Sequence, residues 1–100
     1  MTVDELAAST ENESRPPEGL SPECTALWHA KAGNWGDAHN IAQGIDTPLG
    51  SWIHAHLHLI EGDIGNAGYW YAKAGKPANT KSRIKEEWVE LAEASLAEKA

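Results

Sequence analysis

Gly33-Asn34-Trp35-Gly36-Asp37-Ala38 returns 29 residues later as Gly62-Asp63-Ile64-Gly65-Asn66-Ala67. At the same offset Ala26 matches Ala55 and His29 matches His58. Each copy places a glycine, suited to the left-handed backbone that ends a helix, before an Asn or Asp suited to cap the next one. The small alanine that follows lets paired helices cross closely. Two helical hairpins are therefore predicted. One such hairpin cannot bury its apolar face alone, so the two are expected to stack into a single core.

The flanking residues extend this pattern. Ser21 is a good N-cap and Pro22 suits the first helical position, which predicts a first helix from Ser21 to Gly33. A second runs from Asn34 to near Gly44, with Asn34 and Asp37 at capping-box spacing. Thr47 and Pro48 open a third helix that reaches about Glu61, where Gly62-Asp63 ends it and caps the fourth. The fourth carries Tyr69-Trp70-Tyr71 and stops at Gly75-Lys76-Pro77. The fifth begins near Thr80 or Ser82, and its Ile84, Trp88, Leu91 and Ser95 step by four, three and four along one face. The expected fold class is all-α: about five helices, as two antiparallel hairpins plus a C-terminal capping helix, in one domain over residues 21–100. Residues 1–20 read as an acidic tail, disordered or loosely docked through Leu6 and Leu20, with only a transient turn from Asp4 to Ser9.

The Gly-Asn/Asp-x-x-x-Ala turns resemble those between the two helices of tetratricopeptide or Sel1-like repeats, over roughly residues 22–77. The 29-residue offset is shorter than the tetratricopeptide's usual length of about 34, and the Trp-Leu-Gly signature is missing. Trp52-Ile53-His54-Ala55-His56-Leu57-His58, Glu61-Gly62-Asp63, Asn66 to Pro77, Asp37-Ala38-His39 and Gln43 are more similar to a small uncharacterised family of bacterial and fungal proteins. That second resemblance implies a helical fold and no particular activity. The first implies an interaction groove.

Charge narrows the partners. The chain of 100 residues holds 15 acidic and 8 basic side chains, a net charge of -7. Residues 1–23 contain six acids and one base, residues 24–100 nine acids and seven bases. Neither part offers the positive field that nucleic acid or an anionic membrane needs. Mean hydropathy is -0.50, and no apolar run is long enough for a bilayer. The single Cys24 excludes a disulfide within the chain and reads as a packing residue. MTVDELAAST lacks the basic start and apolar centre of a signal peptide, so a cytoplasmic location is expected.

All five histidines fall between residues 29 and 58. His54 and His58 share a helix face, and Glu61 follows on it. An i, i+4 histidine pair can ligate one metal ion if a third ligand comes from elsewhere. His39 on the preceding helix is the natural candidate, with Asp37 behind it. His39, His54, His58 and Glu61 therefore form a candidate site for a divalent transition metal. Ala55 stands where a zincin has Glu, so metalloprotease chemistry is not indicated. The bland alternative keeps His54 and His58 as packing residues, each hydrogen-bonded to a carbonyl or to Glu61. No nucleophile, oxyanion donor or phosphate loop is marked, so no catalytic residue is assigned.

His56 leaves that face and joins Trp52. Trp52, His56 and Tyr69 are the candidate residues of a groove that binds a peptide, a protein or a small ligand, although Trp52 reads equally well as core. Trp70 is expected on the fifth helix near Trp88, and a tyrosine hydroxyl is expected to reach a histidine. Lys73, Lys76, Lys81, Arg83 and Lys85 form a basic cluster, either a solvated face or a seat for the acidic tail. The fifth helix or the aromatic face offers a surface for a homodimer, since small cores often need help.

Overall fold

A computed structural model describes residues 1–98. Its elements are α1 (Val3–Asn12), α2 (Pro22–Ala32), α3 (Trp35–Ala42), α4 (Pro48–Glu61), α5 (Ile64–Ala74), a 3-10 turn at Lys81–Arg83 and α6 (Ile84–Ala97). The class is all-α, with six α-helices and no strand among the described residues.

The repeated turn acts as its chemistry dictates. Gly33 and Gly62 end α2 and α4 at φ 89° and 86°. The next backbone N–H, of Asn34 or Asp63, returns to the carbonyl of His29 or His58 at 2.8 and 2.9 Å. α2 packs on α3 and α4 on α5, forming the two hairpins, and α6 closes the stack against α4 and α2. Ala26 and Ala38 in the first hairpin and Ala55 in the second are fully buried, and Ala67 is nearly so. The caps differ: Asp63 accepts from the Asn66 N–H at 3.3 Å, whereas Asn34 makes no side-chain cap. Its amide meets His29 Nδ1 instead, at 3.2 Å. The predicted capping box at Asn34 and Asp37 is therefore not formed. Gly50 admits the return of the chain before α4, because a Cβ there would collide with the Ile45 carbonyl.

The N-terminal residues dock through Leu6 and Leu20, one of the two alternatives the sequence offered, but as a helix where only a transient turn was expected. Thr2 and Glu5 form a reciprocal capping box that starts a ten-residue helix. Leu6 is completely buried. Ser9 accepts the Trp28 indole N–H at 3.0 Å and gives its own proton to the Leu6 carbonyl. α1 packs on α2 and α6. The acids of this segment mark the solvent face and helix start of an amphipathic element, which composition alone does not separate from disorder.

Four indole N–H groups are satisfied by named acceptors: Trp28 by Ser9, Trp35 by the Leu57 carbonyl, Trp52 by Glu87 and Trp88 by the Leu27 carbonyl. Each bond ties two different helices, so the large rings fix the stacking geometry as well as fill it.

Candidate metal centre

α4 supplies His54 and His58 one turn apart, and α3 supplies His39 from across the helix pair. One ring nitrogen from each of the three lies within 4.8 Å of the other two. The His39 and His54 Nε2 atoms are 3.0 Å apart. That contact is a hydrogen bond between the two rings; tetrahedral zinc with Zn–N bonds of about 2.0–2.1 Å separates its nitrogens by about 3.3 Å, a spacing this pair is close to. His54 and His58 are buried and His39 is half-buried.

Two tryptophans wall the cluster. Trp70 stacks on His54 at a centroid distance of 3.9 Å, and Trp35 stacks on His39 at 4.8 Å. Trp70 thus lies on the histidines and not beside Trp88, where the sequence placed it. Trp35 is itself anchored to the Leu57 carbonyl of α4 at 2.7 Å, which fixes His39 relative to its partners. Glu61 Oε1 meets His58 Nδ1 at 2.7 Å. Glu61 thus stands on the Nδ1 side of His58, and with His58 and Asp63 it forms a second group whose candidate ligand atoms lie within 4.8 Å of one another.

The electrostatics favour neutral rings. Burial pushes His54 down to about 4, and the neighbouring His39 and His58 push it further the same way. Burial and His58 also lower His39, against a smaller pull upward from Glu61. Neutral imidazoles are the form that binds metal. A cavity of about 120 Å³ beside His54 is lined by Ser51, Asp46, Gln43, Trp70 and Lys73 among others.

The other face of α4 carries a different constellation. His56 is fully buried, with Nδ1 at 2.7 Å from Glu87 of α6. The Tyr71 hydroxyl donates to the same carboxylate at 2.7 Å, and Trp52 Nε1 donates at 3.1 Å. Burial raises the Glu87 carboxyl, but the hydrogen bonds from His56, Tyr71 and Trp52 outweigh it and hold the group below its ordinary value. Burial and Glu87 push the Tyr71 hydroxyl upward, so it stays a donor. The tyrosine therefore reaches the carboxylate that holds a histidine, where the sequence suggested the histidine itself.

This network undoes the expected groove of Trp52, His56 and Tyr69. His56 is buried, Trp52 is half-buried and turned to Glu87, and Tyr69 is 60 % exposed on α5. Trp52 lines cavities with Lys76, whereas His56 lines one with Trp88. The basic cluster is also spoken for in part: Lys73 lies over Trp70 and Lys76 over Trp52, at 5.1 and 4.3 Å from the ring centroids, and Arg83 faces Glu90. Burial raises the Cys24 thiol, which fits a packing residue.

Glu87, Trp35 and Trp70 were not singled out for these roles from sequence. Glu87 had a signal: it sits three residues after Ile84 and four before Leu91, inside the apolar stripe of α6. An acid in that stripe demands buried donors. The chain matches no protein-family model, no curated protein and no solved structure.

Proposed function

We propose that this protein binds one divalent transition-metal ion, of the zinc type, through His39, His54 and His58. The observation that carries the reading is the convergence of three ring nitrogens within 4.8 Å, from two helices, with no carboxylate inside the triangle. Three neutral donors packed this closely repel one another's protonated forms and gain most from a shared cation. Imidazole suits Zn²⁺ and its neighbours in the transition series. Three protein ligands leave a fourth position for water or an exogenous ligand, as reactive zinc sites do and closed structural sites do not. Glu61 on His58 and the two indoles hold the rings in register, which keeps the ordering cost of binding low.

The test is calorimetric titration of Zn²⁺ into untagged, chelator-treated protein. One ion per chain is expected for the wild type. His54→Ala and His39→Ala should lose that site, while His29→Ala, altered outside the cluster, should retain it. No stoichiometric binding by the wild type, or equal binding by His54→Ala, would overturn the proposal.

A further inference from the structure

A second cavity, of about 300 Å³, lies where α1, α2, α4 and α6 meet. Its walls are Val3 and Ala7 of α1, Ala30 of α2, Ile60 of α4, and Ile84 and Trp88 of α6 or its start. Asp4, Lys31 and Lys85 are exposed and stand at its mouth. Lys31 is held there, with Nζ 5.1 Å from the Trp88 ring centroid. The volume is at the small end of ligand pockets, about 300–1,000 Å³, and exceeds the ~150 Å³ that suffices for benzene in an apolar cavity.

One buried polar group faces these apolar walls. His56 lines the cavity, whereas its partner Glu87 does not. Nδ1 is turned to Glu87, so Nε2 lies toward the opposite edge of the ring. That Nε2 has no hydrogen-bond partner and no accessible surface, so a donor reaches it only as the side chains of the cavity wall shift. A neutral His56 that donates from Nδ1 to the carboxylate presents a lone pair at Nε2. A buried acceptor without a donor is costly. A lone water is a poor answer to it, because a water needs two to four polar partners and the inner walls are apolar. A small hydrocarbon fills the space and leaves the nitrogen unpaired. The complementary molecule is apolar over most of its surface and carries one O–H or N–H.

We propose that this cavity is a binding site for a small aromatic molecule of the phenol class, whose ring packs on Trp88, Ile60 and Ile84 and whose hydroxyl donates to His56 Nε2. Glu87 is the positioning residue, since it points the free lone pair at the ligand. The site shares no residue with the three-histidine cluster, so its fate is independent of metal binding.

Phenol is the probe and toluene, which lacks the donor, its control. Two-bond proton–nitrogen correlation spectra of the histidine rings should show His56 with Nδ1 protonated and Nε2 bare. Phenol should then shift the His56 Nε2 signal saturably, with at least roughly tenfold tighter binding than toluene, the discrimination expected of a site built around a hydrogen bond. Ala7→Leu, which fills the cavity from α1 without touching His56, should abolish the shift and leave zinc titration unchanged. His56→Leu, where it folds, should bind phenol no better than toluene. An unmoved Nε2 signal, equal binding of toluene, or undiminished binding by Ala7→Leu would overturn the proposal.

Discussion

α4 carries two histidine faces with opposite electrostatic solutions. On one, His54 and His58 meet His39, and three imidazoles crowd together with a single carboxylate, Glu61, on the outer nitrogen of His58. On the other, His56 meets Glu87, and Tyr71 and Trp52 complete the carboxylate's shell. The first face is the proposed cation site. The second is closed on the side of its carboxylate and ties α4, α5 and α6 together through buried polar contacts. The same residue type at a spacing of two thus separates into a site and a strut, and the partner across the helix interface decides which.

The largest effect should come from breaking the strut. Glu87→Ala leaves a hydroxyl, an indole N–H and an imidazole without their acceptor in a buried place. Removing one partner of such a buried charged network costs about 3–5 kcal/mol. For a domain of this size that lowers the thermal midpoint by roughly 15 °C or more. His39→Ala in the metal-free protein should cost less, about 1–2 kcal/mol, because it removes a half-buried ring with one hydrogen bond, to His54, and one stacking contact, to Trp35. Thermal unfolding of both variants, followed by circular dichroism, checks the order. Equal losses would erase the distinction between the two faces.

Zinc should sharpen the contrast from the other side. At free metal 100 times the dissociation constant, a native-state ligand adds about 2.7 kcal/mol of stability. Glu61→Gln keeps the size of the side chain but weakens its hold on His58 Nδ1. A change of this kind in an orienting carboxylate typically reduces metal affinity about 10–100-fold. Calorimetry should therefore find weaker zinc binding at unchanged stoichiometry. An unchanged affinity would show that Glu61 plays no part in orienting His58.

Acid should separate the two faces by window. The unfolded His54 takes up a proton near its ordinary value, about 6.5, but the folded one resists it until about 4. Between those limits the unfolded state binds more protons, so the metal-free protein loses stability as pH falls from about 6.5 to about 4. Glu87 acts lower. Its folded value lies below the ordinary carboxylate value, so its contribution is present above that value and is lost as pH drops through the folded one. Denaturant midpoints measured with chelator from pH 7.5 to 3 should show the first decline in wild type and a smaller one in His54→Ala. A midpoint flat between pH 6.5 and 4.5 would mean that His54 titrates normally.

The hairpins and the α4 face bearing His54 and His58 were legible because both rest on local chemistry. Gly33 and Gly62 must end helices, and an i, i+4 pair must share a side. His39 joined the cluster on the strength of a short connection between sequential helices. Less visible was everything set by long-range packing. Trp70 could face α6 or α4 from its position on α5, and only the assembled stack puts it on His54. Glu87 lies 31 residues from His56, so nothing local pairs them. The docking of α1 was half legible: Leu6 stood out as an anchor, but acids and polar residues dominate the composition and hid the helix, and the Ser9 contact to Trp28 is long-range.

The smallest effect compares the two copies of the repeated turn. Asp63 caps α5 with its side chain, whereas the Asn34 amide is drawn to His29 and leaves α3 without a side-chain cap. Loss of a cap typically costs about 1 kcal/mol. Asp63→Ala should therefore destabilise by about that amount, and Asn34→Ala by a few tenths, since an exposed contact to a ring nitrogen contributes little in water. The residue types alone predict the same loss at both sites, because Asn and Asp rank alike as caps. Chemical denaturation of the two variants decides between sequence equivalence and structural difference. Equal losses would mean that Asn34 caps α3 in solution. The observed inequality would show that a repeat preserved in its glycines has diverged in its caps, with the second copy keeping the firmer turn beneath His58.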